Sequence, residues 1–539
     1  MSASGIHQNS RKLGISIVPL FILLLSSSAT RAQFDHFPGT TTSKPEALTK
    51  EPEGPFTYDP VDPEFWKEVT NALSEDNFTK MVTLGGDILL EEKEGTDEAE
   101  EAKLAVGMGL SKLKLSFAAS VIFMDLGKSR NGTKIGEAAL FELTQIAQQY
   151  FYDKEEVQSL FVSTEFGPLH SDIQSFIGFH VGLYNLVSGY RDWADEAFKG
   201  IRKDSYWDHE MLYLKSLGEI ARDHFDVGQK DLESLRDNPL VTTELKQRSL
   251  LQLARLKFEQ GDFTGAYSLY ENLQFPQREL GRVYLERAWT KFYMRDYSKA
   301  LGLLAVAQTP IFRNALTPEI YILKMLILRE LCHYEAALET AGDFRAEFGG
   351  AIQSVKDRKD LNKNFRIGSG ALLDQGLQYW ANFVGQIRNE QADFKEYSWE
   401  DYPFYSKLSR AYDKKEAQVR DRIDRELDLY TRQTAKELLE SEEQVTFLDY
   451  TAKLDSLRIV RKGESRDYKS EKINYLKFNR IYWPVKDEHW TDELETYKVL
   501  IRSRCGESQL APAGGDDLDS EVDKEKSKED EDLEAEGFE

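Results

Sequence analysis

Residues Glu259–Pro276 read EQGDFTGAYSLYENLQFP, and Met294–Pro310 read MRDYSKALGLLAVAQTP. Asp262, Phe263, Ala266 and Pro276 of the first stretch recur as Asp296, Tyr297, Ala300 and Pro310 of the second, each displaced by 34 residues. An acid that can start a helix, an aromatic, a small residue and a helix breaker at one fixed distance describe a single structural unit copied in line. A chain built this way buries apolar surface between neighbours in sequence, so its shape follows from how one unit leans on the next.

A period of 34 is the length of the tetratricopeptide unit, a helix–turn–helix. In the unit at 247–280, Leu250 and Leu253 build a first helix and Ala254 is small where the second helix must approach. Gly261 and Asp262 make the turn, Phe263, Ala266 and Tyr270 build the second helix, and Pro276 ends it. In the unit at 281–314 the same roles fall to Tyr284, Ala288, Tyr297, Ala300, Leu304 and Pro310. A third unit, 318–350, follows after a slip of three residues and carries Tyr321, Tyr334, Ala337 and Ala341. One hairpin cannot hide its apolar face alone, so the repeats predict an all-α, tetratricopeptide-like α-solenoid of helical hairpins.

The rest of residues 61–350 has helical rather than strand periodicity. Asp62, Pro63 and Glu64 suit the start of a helix, and Thr317, Pro318 and Glu319 repeat the device. Ile173, Phe176, Ile177, Val181, Leu183, Leu186 and Val187 form one helical stripe, and Leu212, Leu214, Leu217, Ile220 and Ala221 belong to another. Gly189–Phe198 (GYRDWADEAF) reads as a degenerate repeat, and Ala102–Gly127 as a more divergent helix. Asn131-Gly132 is a hairpin-type dipeptide, but both its flanks read helical. Residues 351–505 form a C-terminal helical region. Ser354–Gly370 is polar and reads as a loop, and Leu373, Leu377, Trp380, Val384 and Ile387 mark an amphipathic helix. From 414 to 457 runs a long charged helix whose seam is Val419, Ile423, Leu427, Tyr430, Thr434, Leu438, Val445, Leu448 and Ala452. Its steps depart from a strict heptad, so packing along the chain's own solenoid is preferred over a self-associating coiled coil.

The ends have a different character. Arg11 and Lys12 precede an apolar run too short to span a bilayer, and Thr30 and Ala32 stand before Gln33 at the spacing of a cleavage site. Residues 1–32 therefore read as a signal peptide cut between Ala32 and Gln33, which implies an exported, periplasmic or secreted chain with no integral span after cleavage. No cysteine lies at that site to carry a lipid. Residues 33–60 read as a disordered linker. Residues 506–539 read as a disordered acidic tail, in which the stretch from Gly514 carries 13 acidic residues against 3 lysines. The net charge of −24 argues against a nucleic-acid partner, because phosphate binding needs excess Lys and Arg. An oxidising compartment permits one disulfide between the two cysteines, Cys332 and Cys505. The alternative is two separate thiols, and nothing in the sequence sets their distance.

No catalytic, cofactor or metal motif declares itself. There is no phosphate loop, Gly107–Gly109 lacks the strand context of a dinucleotide fingerprint, and HExxH is missing. His180 sits in an apolar helix and reads as a core histidine. His333 beside Cys332 falls in a repeat turn, and no second pair completes a zinc set. The sequons at Asn77 and Asn131 count only in a eukaryotic secretory pathway. No cofactor is expected. Leu253, Ala254, Phe263, Ala266, Tyr284, Ala288, Tyr297, Ala300, Tyr334 and Ala337 are expected to pack the repeats.

The stretch Gly281–Leu338 resembles secreted tetratricopeptide-repeat proteins of deltaproteobacteria, some of them similar to components of the myxobacterial gliding and adhesion machinery. Trp483-Pro484, Glu488, Trp490, Asp492-Glu493-Leu494 and Cys505 resemble the ends of such proteins. The resemblance implies an envelope protein that works by binding other proteins. The expectation is thus a non-enzymatic interaction scaffold in the bacterial envelope, holding a partner subunit or peptide on a repeat surface. A component of a secretion or cell-wall assembly complex is an alternative, as is an enzyme with its site on the solenoid's inner face. Oligomeric state is left open.

Overall fold

The computed structural model describes residues 56–461, apart from 93, 275, 276 and 316, and residues 497–505; the side chains of 277–279, 313–315 and 458–461 are not described. The expected signal peptide with Ala32 and Gln33, the acidic tail, Pro276 and the Trp483–Leu494 motif lie outside these residues. Among the described residues there are nineteen α-helices and no strand. Sixteen follow one another in line: α1 Pro63–Ser74, α2 Phe78–Glu91, α3 Asp97–Lys112, α4 Ser116–Ser129, α5 Lys134–Gln149, α6 Lys154–Ser163, α7 Ser171–Val187, α8 Arg191–Lys199, α9 Tyr206–Ile220, α10 Phe225–Asp237, α11 Thr243–Glu259, α12 Phe263–Glu271, α13 Gln277–Tyr293, α14 Tyr297–Ala307, α15 Glu319–Glu330 and α16 Tyr334–Lys356. Then come α17 Phe365–Ala371, α18 Gln375–Phe394 and α19 Pro403–Arg461. Consecutive helices pack as hairpins, so the chain is a tetratricopeptide-like α-solenoid with a long charged C-terminal helix.

One turn builds the hairpins. Asp76, Lys114, Gly189, Asp223, Gly261, Arg295 and Cys332 each end the first helix of a pair with φ between +53° and +85°. The next residue's N–H then bonds back five residues, as in Asp262 N to Lys257 O (2.9 Å), Asp296 N to Lys291 O (3.0 Å) and His333 N to Leu328 O (2.8 Å). This is the Schellman closure, which satisfies helix-end carbonyls through one left-handed residue. Glycine adopts that backbone freely, whereas a side chain there costs about 1 kcal/mol. The residue after it starts the second helix. Asn77, Asp262 and Asp296 accept from Lys80 N (3.1 Å), Gly265 N (2.9 Å) and Lys299 N (3.1 Å), a cap worth ~1 kcal/mol. The α5–α6 connection lacks the left-handed residue, and α6 packs on α7 and α4 instead of folding back along α5.

Several sequence expectations are corrected. The linker ends before residue 60: Phe56 stacks on Phe141 at 4.5 Å, and the Tyr58 hydroxyl donates to Glu101 Oε1 at 2.8 Å. Ala102–Gly127 is not one helix but the α3–α4 hairpin, turned at Lys114. Asp62 caps α1 through Glu64 N and Phe65 N, but Thr317 does not cap α15: its hydroxyl meets no partner, and Pro318 is already helical. Helix α16 continues past 350 to Lys356, and the supposed loop at 354–370 contains helix α17. The long helix begins at Pro403, eleven residues before the expected start at 414. Neither sequon asparagine is idle, since Asn77 caps α2 and Asn131 Nδ2 donates to Glu165 O at 2.6 Å.

Helix α19 spans 59 residues, ~88 Å at 1.5 Å per residue, and it runs from the first hairpins to the last. Near its start Lys407 pairs with Glu94 (2.5 Å), and Lys415 with Asp153 (3.0 Å) and Glu156 (2.7 Å). Near its end Asp449 meets Arg345 (2.5 Å), and Asp455 meets Arg329 (3.3 Å). Its apolar seam seals two cores. Leu408, Tyr412 and Val419 join the core of α3–α7, while Leu438, Val445 and Leu448 join that of α11–α16. The long helix is therefore a chord laid across the solenoid it belongs to.

Candidate functional site: the half-buried cluster, the buried network and the strap

The expected packing residues are distributed over three cores. Ala254, Ala266, Tyr284, Ala288 and Ala300 are buried in the α11–α16 core, with Phe263 and Tyr297 half-buried at its rim. Leu253 is buried beside Leu232 and Leu245, and Ala337 beside Leu328 and Ala452 with Tyr334 half-buried against them. The five alanines, including Ala337, are fully covered, which is the condition for close helix approach.

Inside the same repeats lies an ionic network. Arg255 on α11 grips Glu286 on α13 with Nε at 3.0 Å and Nη2 at 2.6 Å. The Tyr270 hydroxyl donates to Glu286 at 3.0 Å, and Arg282 Nε stands 3.6 Å away. Burial pushes the Glu286 carboxyl up, but the Arg255 and Arg282 guanidiniums overcome it and hold the group below its usual range. One step on, Trp289 Nε1 donates to Glu319 at 2.7 Å, and burial pushes that carboxyl up to about 7. Helix α11 is thus pinned to α13 by charge, and α13 to α15 by a hydrogen bond.

A second polar group is half-buried and gathers side chains from four elements. Tyr206, Glu210 and Tyr213 stand at helical spacing on α9, and Arg248 on α11 reaches across to Glu210 at 3.2 Å while covering the Tyr213 ring at 4.4 Å. Lys154 at the start of α6 lies over the Tyr379 ring of α18 at 4.0 Å. Burial lowers the Lys154 amine to about 8, with Glu210 opposing that shift and Arg248 adding to it. Tyr206 and Tyr379 are both pushed up, chiefly by burial. Behind them, fully covered, His180 Nε2 meets the Tyr152 hydroxyl at 3.1 Å among Phe161, Phe176 and Trp207, and burial lowers the imidazole to about 3. His180 is a core residue.

The C-terminal strap, residues 497–505, lies along the start of α14 and the turn before α16. Val499 N donates to Ser298 O (3.1 Å), Ser298 Oγ donates to Val499 O (2.7 Å), and Arg504 N donates to Leu331 O (2.9 Å). His333 Nε2 donates to Arg502 O at 2.7 Å, so the turn histidine serves the strap rather than a metal. Cys332 and Cys505 are joined by a disulfide that bridges 173 residues of sequence.

Sequence reasoning missed Arg255, Glu286 and Lys154. The available signal was a charge at a first-helix position between apolar neighbours, as in LQLARLKF and VYLERAW. Among the described residues no group of three or more His, Cys, Asp or Glu side chains could hold a metal ion, and no helix is long and apolar enough to cross a membrane.

With this geometry in place the chain is classed by its own hairpins as an all-α repeat solenoid. No protein-family model matches it, and no curated protein is significantly similar. Among solved structures, the crystal structure of the apo form of RapI matches with 13% identity over 67% of this chain and 97% of that one, at a TM-score of 0.29. A superposition that loose leaves the fold description resting on the turns and cores above.

Proposed function

We propose that the chain is a non-enzymatic protein–protein interaction scaffold, exported to the bacterial cell envelope, that holds a partner's peptide or subunit against the half-buried Tyr206–Arg248 cluster. The observation that carries this reading is the half-buried set of Tyr206, Tyr379, Lys154, Glu210 and Arg248. Aromatic rings and paired charges on a rigid frame, partly desolvated but reachable, are what binding anchors consist of. Affinity then comes from a few such anchors rather than from total area. The buried Arg255–Glu286 network is closed to solvent and serves the fold. Export is supported by the signal-like N-terminus and by a disulfide, which persists in an oxidising compartment. The resemblance to secreted tetratricopeptide proteins points to gliding or adhesion as the process.

The test is a photo-crosslinking residue placed at Tyr206 and, separately, at the exposed Asp192 on α8, in the source cell's envelope. A discrete partner band from position 206 that is missing from position 192 is the expected result. No band, or the same bands from both positions, overturns the assignment of the half-buried cluster.

A further inference from the structure

The strap is a peptide bound to a repeat surface, although the peptide belongs to the same chain. Its recognition is mostly main-chain: Ser298 exchanges two hydrogen bonds with Val499, the Leu331 carbonyl takes the Arg504 amide, and His333 holds the Arg502 carbonyl. Gly302 on α14 lies directly beneath the Tyr497 carbonyl, where any Cβ would collide with it, so the edge is shaped for a backbone. Tyr497 and Ile501, four residues apart, are half-buried against the α11–α16 core, whereas Val499 and Leu500 between them are exposed. Ordering nine residues costs chain entropy that four hydrogen bonds near solvent and two half-buried side chains do not offset. The Cys332–Cys505 bond supplies the difference by fixing the end of the strap at the edge it lies on.

We propose that the α14–α16 edge is a groove for an extended peptide, that residues 497–505 are its resident occupant held by the Cys332–Cys505 bond, and that reduction opens it to the same segment of a second copy of this chain. The occupant is chosen because the strap YKVLIRSRC is the peptide whose fit is seen. The reductant is a dithiol. One of its thiolates attacks Cys505 Sγ, the more exposed of the two sulfurs, since Cys332 is only 8% exposed. Cys332 leaves as a thiolate and takes up a proton. The second thiol of the reductant then closes on its own mixed disulfide and releases Cys505. Two electrons pass, leaving two protein thiols and one reductant disulfide.

Hydrogen exchange of the full chain, oxidised and after dithiothreitol, reads the strap directly. The Val499 and Arg504 amides are expected to exchange at least about ten-fold faster after reduction, with α11–α16 unchanged. A labelled synthetic peptide of residues 497–505, supplied as its Cys505-linked disulfide dimer once the dithiothreitol is removed, should exchange onto Cys332 of the reduced chain with release of one peptide thiol, and should leave the oxidised chain unlabelled. Gly302→Leu, which leaves both cysteines in place, should raise strap exchange without any reductant and keeps the proposal testable should reduction loosen the repeats. Strap amides that stay protected in both the reduced chain and Gly302→Leu overturn it. A released strap with no peptide binding also overturns it, since the edge would then be stapled shut rather than built as a groove.

Discussion

Two buried glutamates, one in the repeats and one where the C-terminal region meets the first hairpins, solve the same problem differently. Glu286 is 3% exposed and sits between two arginines with a tyrosine hydroxyl in reserve, so it stays charged. Glu390 on α18 is 5% exposed and faces no cation. It takes the Ser116 hydroxyl at 2.6 Å, the Phe117 amide at 2.8 Å and the Tyr412 hydroxyl at 3.3 Å. Helix α4 has no side-chain cap of its own, and Glu390 reaches across 273 residues to provide one. Burial raises its carboxyl to about 7 despite these donors. The α11–α13 interface is therefore held by charge, and the contact of α18 with α4 by a carboxyl that is easily neutralised.

The largest break in this comparison comes from removing one cation. Arg255→Ala leaves Glu286 buried with only the more distant Arg282, and should destabilise the chain by ~3–5 kcal/mol. Urea unfolding of the purified variant measures it. A loss below about 1 kcal/mol would mean that water reaches Glu286 and that charge does not hold α11 to α13.

Acidity separates the two sites next. A carboxyl whose folded value lies above its unfolded one binds more protons in the fold, so its stabilisation is complete below the unfolded value. It is lost as pH rises through the folded value. For Glu390 that window runs from 4.5 to about 7, and at ~1.4 kcal/mol per pH unit the loss reaches roughly 3 kcal/mol. Glu319 titrates in the same direction. His180, buried and neutral with its value lowered from 6.5 to about 3, works in the opposite direction, losing stability as pH falls below 6.5. The diagnostic quantity is thus the difference between the native chain and Glu390→Gln at pH 5 and at pH 7, measured by urea midpoints. The native chain should gain on the variant by about 2–3 kcal/mol on going to the lower pH. An unchanged difference would show that Glu390 is ionised throughout.

The contrast also marks what can be read without a structure. The three central hairpins announce themselves because Asp262 and Asp296 cap, Gly261 turns, and Ala254, Ala266, Ala288 and Ala300 fall where helices touch. The outer hairpins use the same turn with Asp76, Lys114 and Asp223 in the left-handed position. There the backbone closure does the work, and no residue type betrays it. That is why the α3–α4 hairpin reads as a single helix. The seam of α19 was legible from its spacing, as was its packing along the chain's own solenoid, but the helices it meets were not, because the partners of Lys415 and Asp449 lie 262 and 104 residues away. The polar contacts that matter most for the candidate surfaces, Arg248 with Glu210 and Cys332 with Cys505, are likewise products of the fold rather than of local pattern.

The smallest effect sharpens the comparison furthest, because it applies one substitution to both glutamates at pH 5, where Glu390 is protonated and Glu286 is charged. Glutamine has the shape of a protonated glutamate, with one acceptor oxygen and one donor. At 390 the oxygen can keep the Phe117 amide, and the amide group can turn the Ser116 hydroxyl from donor to acceptor, so Glu390→Gln should change stability by no more than about 1 kcal/mol. At 286 the same change removes the charge that two arginines face, and the cost should approach that of Arg255→Ala. Equal urea midpoints for the two variants would mean that both carboxyls share one protonation state, and the division between a charge-held α11–α13 interface and a neutral α18–α4 contact would fall.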